Sequence, residues 1–316
     1  MKKTAVIFPG QGSQYLGMGK AFVEADSDAA AIMDAAESIS GFPLRRLAFD
    51  GPLDELTRVL YLQPALTAVN LICWQALCKR LPDWQPHFAA GHSLGEYSAL
   101  YAAGVLSQQD TLTLVTRRGE LMEREGERNP GGMLAVLGLD LSAVEELLVN
   151  NRPEGVAVVA NHNTAQQIVL SGDAAGLAAA GALLKEKGAK TIPLKVSVAN
   201  HSPLVAGAVP DFAESMSKID FQAPAIPVLF NVSAGLERNP VRIREFMAYQ
   251  IASKVRWLEI IEAMLADGIE LFVELGPKNV LTGMVKKIAP KDAQVLCLQA
   301  DTPEAMDAVA SAIQGL

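Results

Sequence analysis

A serine between two glycines is the residue of this sequence best placed to do chemistry. Residues 90–96 read Ala-Gly-His-Ser-Leu-Gly-Glu, so Ser93 stands in the pattern G-x-S-x-G. A strand-like run precedes the pattern and a helical pattern follows it, as in the turn that presents a nucleophilic serine. The glycines let neighbouring backbone approach, and the helix start offers N–H groups to an oxyanion. We therefore predict that Ser93 is a nucleophile and that the backbone N–H of Leu94 is an oxyanion donor.

A serine nucleophile needs a base within hydrogen-bond reach, and the sequence contains four histidines. His92 is adjacent to Ser93, so on an extended chain its side chain points the other way. His87 precedes the strand, and His162 lies in the middle of the chain. His201 stands where that middle segment rejoins the rest, at the border of a cleft, so we predict it as the base. The acids between Ser93 and His201 fall mostly in the middle segment, so we expect a Ser–His dyad oriented by a neutral carbonyl group.

One arginine falls where the helical pattern predicts burial. At about 100° per residue, a helix over residues 108–123 places Arg118 in the middle of an apolar arc of Leu114, Val115, Leu121 and Met122. An unpaired buried charge is costly, so this guanidinium needs a partner. A structural carboxylate pair and a side chain that reaches out to solvent are two interpretations. The third is a planar fork that receives the carboxylate of a substrate.

The pattern of the chain predicts the frame that positions these residues. Strand-like runs and amphipathic helices alternate over most of the length, which favours an α/β protein with a largely parallel sheet. Its strands are predicted at residues 4–8, 88–90, 228–232 and 271–275. Its helices are predicted at residues 64–80, 94–103, 108–123, 241–251 and 257–266.

The middle of the chain has a pattern of its own. Strands and helices alternate there in the order βαββαβ, which is typical of a ferredoxin-like unit. We predict that residues 129–197 form a small subdomain inserted into a catalytic subdomain made of residues 1–128 and 198–316. Its strands are predicted at residues 133–138, 156–161, 167–171 and 190–196, and its helices at 142–150 and 174–187.

Composition excludes several classes of protein. The 316 residues are 50% hydrophobic and 20% charged with a net charge of −8, which argues against broad nucleic-acid binding. The three cysteines form no CxxC pair and no cluster with histidine, so we expect no metal site and no disulfide framework. The apolar run after the N-terminal lysines is too short for a signal peptide, and no stretch reaches the length of a membrane span. We expect a cytoplasmic protein.

Several motifs follow one another in a characteristic order. They are Pro9-Gly10-Gln11-Gly12-Ser13-Gln14, Gln63-Pro64-Ala65-Leu66, Gly91-His92-Ser93-Leu94-Gly95-Glu96, Arg118-Gly119, Glu274-Leu275-Gly276-Pro277 and Val280-Leu281-Thr282-Gly283. Together they make the whole chain resemble the malonyl-CoA:acyl-carrier-protein transacylases. The resemblance implies a hydrolase-like large subdomain with a parallel sheet and an inserted ferredoxin-like small subdomain.

The resemblance also implies roles for the candidate residues. Ser93 would be acylated by malonyl-CoA, with His201 as the base, and Arg118 would hold the free malonyl carboxylate. The backbone N–H of Gln11 would join that of Leu94 in the oxyanion hole.

Further positions are implied around the catalytic pair. Gln250 aligns with a glutamine that orients the histidine through a carbonyl group. Asn163 lies in a segment near the cleft and is a candidate contact to substrate. Asn200 precedes His201 where phenylalanine or serine is common, and this position bears on the choice of acyl group.

The implied reaction transfers malonyl from malonyl-CoA to the phosphopantetheine thiol of acyl carrier protein in fatty-acid biosynthesis, with no cofactor. We expect a monomer with no nucleic-acid or membrane partner. Exposed lysines could form a docking patch for the acidic carrier, with ordinary solvated lysines as the alternative: Lys185, Lys187, Lys190, Lys195, Lys286 and Lys287. A free-standing acyltransferase of a polyketide synthase and a proofreading acyl-thioester hydrolase are the alternative functions. Such hydrolases tend to lack the arginine.

Overall fold

The computed structural model describes residues 2–151, 154–196 and 198–316. Within these ranges the strands are β1 (Thr4–Phe8), β2 (Phe88–Gly91), β3 (Gly132–Leu137), β4 (Ala157–Thr164), β5 (Gln167–Gly172), β6 (Lys190–Pro193), β7 (Leu271–Leu275) and β8 (Leu296–Ala300). The helices are α1 (Lys20–Ala25), α2 (Ser27–Ser40), α3 (Leu44–Asp50), α4 (Leu53–Thr57), α5 (Val59–Arg80), α6 (Gly95–Ala102), α7 (Gln108–Arg128), α8 (Leu141–Asn151), α9 (Ala174–Glu186), α10 (Val209–Ser217), α11 (Pro240–Gln250), α12 (Trp257–Ala266), α13 (Val280–Ile288) and α14 (Pro303–Gln314).

A parallel sheet in the order β2-β1-β7-β8 forms the frame of the larger part. Every residue of β1 is buried, as expected of a continuous apolar run at the centre of a parallel sheet covered on both faces. Phe8 and Gly91 pair at the carboxyl ends of β1 and β2. The loops that leave these two strands therefore start at the same edge of the sheet, where ligands bind in open α/β sheets.

Two long helices pack together beside this sheet. Helix α5 is apolar and buried over most of its length, whereas α7 is amphipathic and buries one face. The buried face of α7 contains Leu114, Val115, Leu121 and Met122, with Arg118 among them. The apolar arc predicted from the helical period is confirmed.

A separate antiparallel sheet carries the strands of the smaller part in the order β4-β5-β3-β6, with α8 and α9 packed on one face. This is the strand order of the ferredoxin-like unit, and the two-sheet α/β fold is confirmed. Alternation along the strands separates its faces. Leu134 and Leu170 pack against the helices, whereas Met133 and Val169 pack with Val196 on the opposite face.

The strands of the second sheet all lie within the predicted insertion of residues 129–197. Those domain bounds stay a prediction, and Ser197 at the predicted end lies outside the described residues. No helix in the described part of the chain is both long enough and apolar enough to cross a membrane.

One predicted strand is wrong. Residues 228–232 make single bridges, from Val228 to Ala89 and from Leu229 to Leu236, in place of a regular strand. The chain turns directly afterwards, and the backbone N–H of Phe230 donates to Gly235. The run is apolar because it is buried, and burial alone does not distinguish a strand from a buried turn.

Other predicted elements differ mainly at their ends. Helix α5 begins before Pro64 and α7 continues to Arg128, while β6 ends at Pro193. Helices α1 to α4, α10, α13 and α14 and strand β8 were not predicted from the sequence.

Candidate active site

Ser93 occupies a strained turn between β2 and α6. Its φ of 51° lies in the left-handed region, which is costly for a residue with a side chain. A Cβ atom on Gly91 would lie 2.0 Å from the backbone of Gly95, and one on Gly95 would lie 2.1 Å from the carbonyl oxygen of Phe8. Strand, turn and helix therefore approach one another only because both positions are glycine, and the turn carries the serine to the cleft.

His201 contacts the serine directly. Its Nε2 atom lies 2.7 Å from Ser93 Oγ. Its Nδ1 atom lies 3.0 Å from the backbone oxygen of Gln250 and 2.9 Å from that of Ser253. Since both oxygens only accept, Nδ1 carries the proton and Nε2 is free to accept from the serine hydroxyl.

The end of helix α11 takes the place of the acid in a triad. The carbonyls beyond the last helical turn lack helical partners, and here they face the imidazole. The backbone N–H of His201 also donates to the oxygen of Ile251, at 3.0 Å. The negative end of the helix dipole favours a cation at this position. The imidazole is thus oriented by neutral carbonyls, and these hydrogen bonds favour its protonated form.

Burial governs the resting charge of this histidine. Burial, together with the nearby positive charge of Arg118, lowers the pKa of His201 to about 3. The imidazole is therefore neutral near pH 7, which is the form able to accept a proton.

Arg118 reaches the same oxygen from another side. Its Nη2 atom lies 3.3 Å from Ser93 Oγ and 3.1 Å from Gln250 Oε1, and Nη1 lies 2.8 Å from Gln63 Oε1. The side chain is 2% exposed. Its hydrogen bonds go to amide and hydroxyl oxygens, and in the described part of the chain it forms no salt bridge. Arg118 therefore neither pairs with a carboxylate of the protein nor reaches solvent. Of the three interpretations, only a fork that receives the carboxylate of a substrate remains.

The predicted oxyanion donors lie on the two loops that meet at this edge of the sheet. Among the described residues, no protein acceptor receives the backbone N–H of Gln11 or of Leu94. A Cβ atom on Gly10 would lie 2.3 Å from the oxygen of His92. Glycine at this position therefore lets the loop after β1 approach the serine turn. The role of both N–H groups in holding an oxyanion stays a prediction.

A cleft opens beside Ser93, between the two sheets. Asn163 and Asn200 both line it. Asn163 Oδ1 lies 2.8 Å from Nε2 of His92, and Asn200 Nδ2 makes a long contact of 3.5 Å with Gln11 Oε1. Their contacts with substrate stay predictions. Within the described ranges, no group of three or more metal-ligating side chains is placed to hold an ion.

Two residues of the site were missed from the sequence. Asn231 Oδ1 accepts the backbone N–H of Ser93 at 2.7 Å, and Asn231 Nδ2 donates to the oxygen of Gly91 at 2.7 Å. The side chain thus clamps the serine turn. The backbone oxygen of Ser253 is the second acceptor for the Nδ1 proton of His201. Asn231 lies in the wrongly predicted strand and Ser253 acts through its backbone, so neither gave a sequence signal.

Two of the sequence motifs meet at one buried carboxylate. Glu274 at the end of β7 accepts hydrogen bonds from the backbone N–H groups of Leu281 and Thr282, at 3.0 and 2.7 Å. These are the free donors at the start of α13. Burial raises the pKa of Glu274 to about 7. The pair of motifs therefore fixes a helix that lines the cleft.

A parallel α/β sheet that ends in a strained serine turn, with a histidine against the serine oxygen, defines an acyl-transfer enzyme of the α/β class. The comparison with known families makes this specific. The chain belongs to the acyl transferase domain family, whose model matches residues 5–312.

Named relatives cover almost the whole chain. The malonyl CoA-acyl carrier protein transacylase of Bacillus subtilis (strain 168) is 40% identical over 290 residues, which are 91% of each chain. The crystal structure of malonyl-CoA:acyl carrier protein transacylase from Xanthomonas oryzae pv. oryzae is 37% identical, with a TM-score of 0.92, covering 99% of this chain and 98% of the other. The resemblance indicated by the motifs is confirmed.

A further similar structure contains a partner. It is a malonyl-transacylase in complex with a type II polyketide synthase acyl-carrier protein. It is 32% identical to this chain, with a TM-score of 0.92, and covers 98% of this chain and 99% of that one.

Proposed function

We propose that this chain transfers the malonyl group of malonyl-CoA to the phosphopantetheine thiol of acyl carrier protein, in fatty-acid synthesis. One observation carries the choice of acyl group. A buried guanidinium, that of Arg118, lies 3.3 Å from Ser93 Oγ and is held by amide oxygens in place of a carboxylate. An acyl group that ends in a free carboxylate supplies the missing anion.

The first half of the reaction forms an ester on Ser93. His201 Nε2 takes the hydroxyl proton while Oγ attacks the thioester carbon of malonyl-CoA. The backbone N–H groups of Gln11 and Leu94 hold the resulting oxyanion. The carbon–sulfur bond then breaks, and the CoA thiolate takes the proton from His201.

The second half reverses these roles with a different thiol. The phosphopantetheine thiol of the carrier gives its proton to His201 and attacks the malonyl ester. The bond to Ser93 breaks and Oγ takes the proton back. Arg118 anchors the malonyl carboxylate throughout and disfavours an acetyl group, which would leave the buried guanidinium without an anion.

The proposal includes the docking site of the carrier and the oligomeric state of the chain. Acyl carrier protein docks at the mouth of the cleft, where α13 contributes lining residues at its start and the exposed Lys286 and Lys287 in its last turn. The monomer expected from the sequence is also part of the proposal. The cytoplasmic location expected from the sequence stays a prediction.

The test separates transfer from hydrolysis. The protein is mixed with malonyl-CoA with and without holo acyl carrier protein, and free CoA and the mass of the carrier are followed. The proposal expects a malonyl adduct on the carrier, little CoA release without it, and neither with Ser93→Ala. Steady CoA release without a carrier contradicts it and favours the hydrolase.

A polyketide synthase remains the second candidate pathway, because a similar structure holds such a carrier. The two are distinguished by the rate of malonyl transfer to carriers of each kind at equal concentrations. Faster transfer to a fatty-acid carrier supports the proposal, and the opposite preference contradicts its pathway.

A further inference from the structure

Glu96 is a fully buried acid, three positions after Ser93 and the second residue of α6. Its Oε1 atom accepts the backbone N–H of Asn231 at 2.7 Å, and its Oε2 atom accepts Nε2 of Gln250 at 2.8 Å. Neither contact involves a reacting group. The mechanism above gives this carboxylate no part, although burying an acid is costly unless it is compensated.

Gln250 connects every part of the site. Its Nε2 donates to the backbone oxygen of Ser93 at 2.7 Å as well as to Glu96, and its Oε1 accepts from Arg118. Its backbone oxygen faces His201. The two ends of an amide are nearly identical in shape but opposite in hydrogen bonding, so these contacts hold only in one orientation of the side chain.

We propose that Glu96 is a positioning residue that fixes the Gln250 amide with Oε1 toward Arg118, and so holds the guanidinium ready for the substrate carboxylate. This inference rests on the proposed malonyl transfer. Glu96 acts through Gln250 and touches no substrate.

The charges of Glu96 and Arg118 support this assignment. The amide of Gln250 stands between the carboxylate and the guanidinium, so the two charges attract without contact. A direct ion pair would occupy the donors of Arg118, whereas a charge beyond an amide leaves them available for a ligand. Burial raises the pKa of Glu96 to about 7, and the hydrogen bonds from Asn231 and Gln250 and the positive charge of Arg118 oppose this rise.

The contacts require a carboxylate specifically. Asn231 and Gln250 both present donors, so Glu96 must accept at both oxygens. A glutamine here accepts at one end only. If the NH₂ of this glutamine faces Gln250, the Gln250 amide must turn over to accept from it. The NH₂ of Gln250 then faces the N–H donors of Arg118. If the NH₂ of the introduced glutamine faces Asn231, a buried backbone N–H loses its acceptor.

The test compares Glu96→Gln with Glu125→Gln. Glu125 is also a buried acid, 3% exposed, but it pairs with Arg124 and Arg128 away from the site. The formation rates of the malonyl and acetyl esters on Ser93 are measured from malonyl-CoA and acetyl-CoA. We expect the malonyl-to-acetyl ratio of kcat/KM to fall at least tenfold in Glu96→Gln and to stay within twofold of the parent in Glu125→Gln. A parallel loss with both acyl groups, or no change of ratio, overturns the inference.

A double-mutant cycle tests whether the effect passes through the arginine. In an Arg118→Ala background, Glu96→Gln should change the malonyl-to-acetyl ratio less than twofold. A further tenfold fall there contradicts the proposed route. Should Glu96→Gln not fold, Glu96→Asp keeps both acceptor oxygens on a shorter side chain. The malonyl-to-acetyl ratio of Glu96→Asp should lie between those of the parent and of Arg118→Ala, and a ratio equal to that of the parent overturns the inference.

The outcomes separate this inference from the proposed function. If the parent protein forms no malonyl ester, the proposed function fails. If the parent selects malonyl and Glu96→Gln selects it equally well, only the role of Glu96 fails.

Discussion

Nη2 of Arg118 lies 3.3 Å from the Oγ atom of Ser93, on a side chain that is 2% exposed. A charged group this deeply buried is normally paired, and here amide oxygens of Gln63 and Gln250 hold it in position. The proposed nucleophile and the proposed anion-binding group are thus adjacent before any substrate arrives. An acyl group on the serine with a carboxylate close to its carbonyl carbon can satisfy both.

Replacing Arg118 should change the selectivity for the acyl group more than the rate of acyl transfer itself. Hydrogen bonds to charged groups contribute about 1.5–3 kcal/mol each, so loss of a bidentate pair in Arg118→Ala should lower kcat/KM for malonyl-CoA about 100-fold or more. Acetyl-CoA should be affected much less. Arg118→Lys is the matched variant, because it keeps the charge but not the fork. Its kcat/KM for malonyl-CoA should lie between those of the parent and of Arg118→Ala. Equal losses for both acyl groups would show that Arg118 supports the turn and not the carboxylate.

The protonation of His201 gives a second prediction. Because burial and Arg118 lower the pKa of this imidazole to about 3, its ring should stay neutral from about pH 8 to about pH 5, with the proton on Nδ1. Proton–nitrogen spectra of the four histidine rings, with His201→Ala for assignment, measure this directly. A titration midpoint near the ordinary histidine value would contradict the described environment.

The same pKa has a consequence for stability. The folded protein binds this proton less well than the unfolded chain, where the ordinary pKa is about 6.5. The stabilisation from neutral His201 is therefore present above that pH and is lost as the pH falls toward the folded value. Replacing His201 with glutamine, which does not titrate, should reduce the loss of stability at acid pH. An unchanged pH dependence of the unfolding midpoint would argue against it.

The glycines of the serine turn make a fourth prediction. A Cβ atom on Gly91 would overlap the backbone of Gly95, with no flexible atom to move aside. Gly91→Ala should destabilise the fold by about 2 kcal/mol or more and slow acylation of Ser93. Gly283→Ala is the control, because a Cβ there meets nothing within 4 Å, and alanine in a helix should stabilise by about 0.5–1 kcal/mol. Thermal unfolding measures both, and equal midpoints would contradict the close approach at the turn.

The local patterns of the sequence predicted the elements that present the nucleophile. The strand at residues 271–275 and the helix at residues 257–266 have the predicted bounds, because their apolar periods differ clearly and turn residues limit them. The burial of Arg118 followed from the helical period alone. Ser93, His201 and Arg118 were all candidates from the sequence, and the fold brings them into contact.

The sequence alone could not predict the long-range contacts of the site. Asn231 is 138 positions from Ser93 and still accepts its backbone N–H. The local hydrophobic period of the sequence gives no sign of such a contact. Ser253 contributes a backbone oxygen to His201, and every residue type has one. Gln250 was implied by resemblance as the source of a carbonyl, but its side-chain contacts with Ser93, Glu96 and Arg118 depend on the folded geometry.

In the proposed reaction Ser93 carries a malonyl ester that is selected by its carboxylate. The most direct measurement is the intact mass of the protein after brief mixing with malonyl-CoA or with acetyl-CoA, for the parent and for Ser93→Ala. We expect a malonyl adduct on the parent, little acetyl adduct, no adduct on Ser93→Ala, and discharge of the adduct by holo acyl carrier protein. An adduct that persists in Ser93→Ala, or equal labelling by both thioesters, would contradict the proposed reaction.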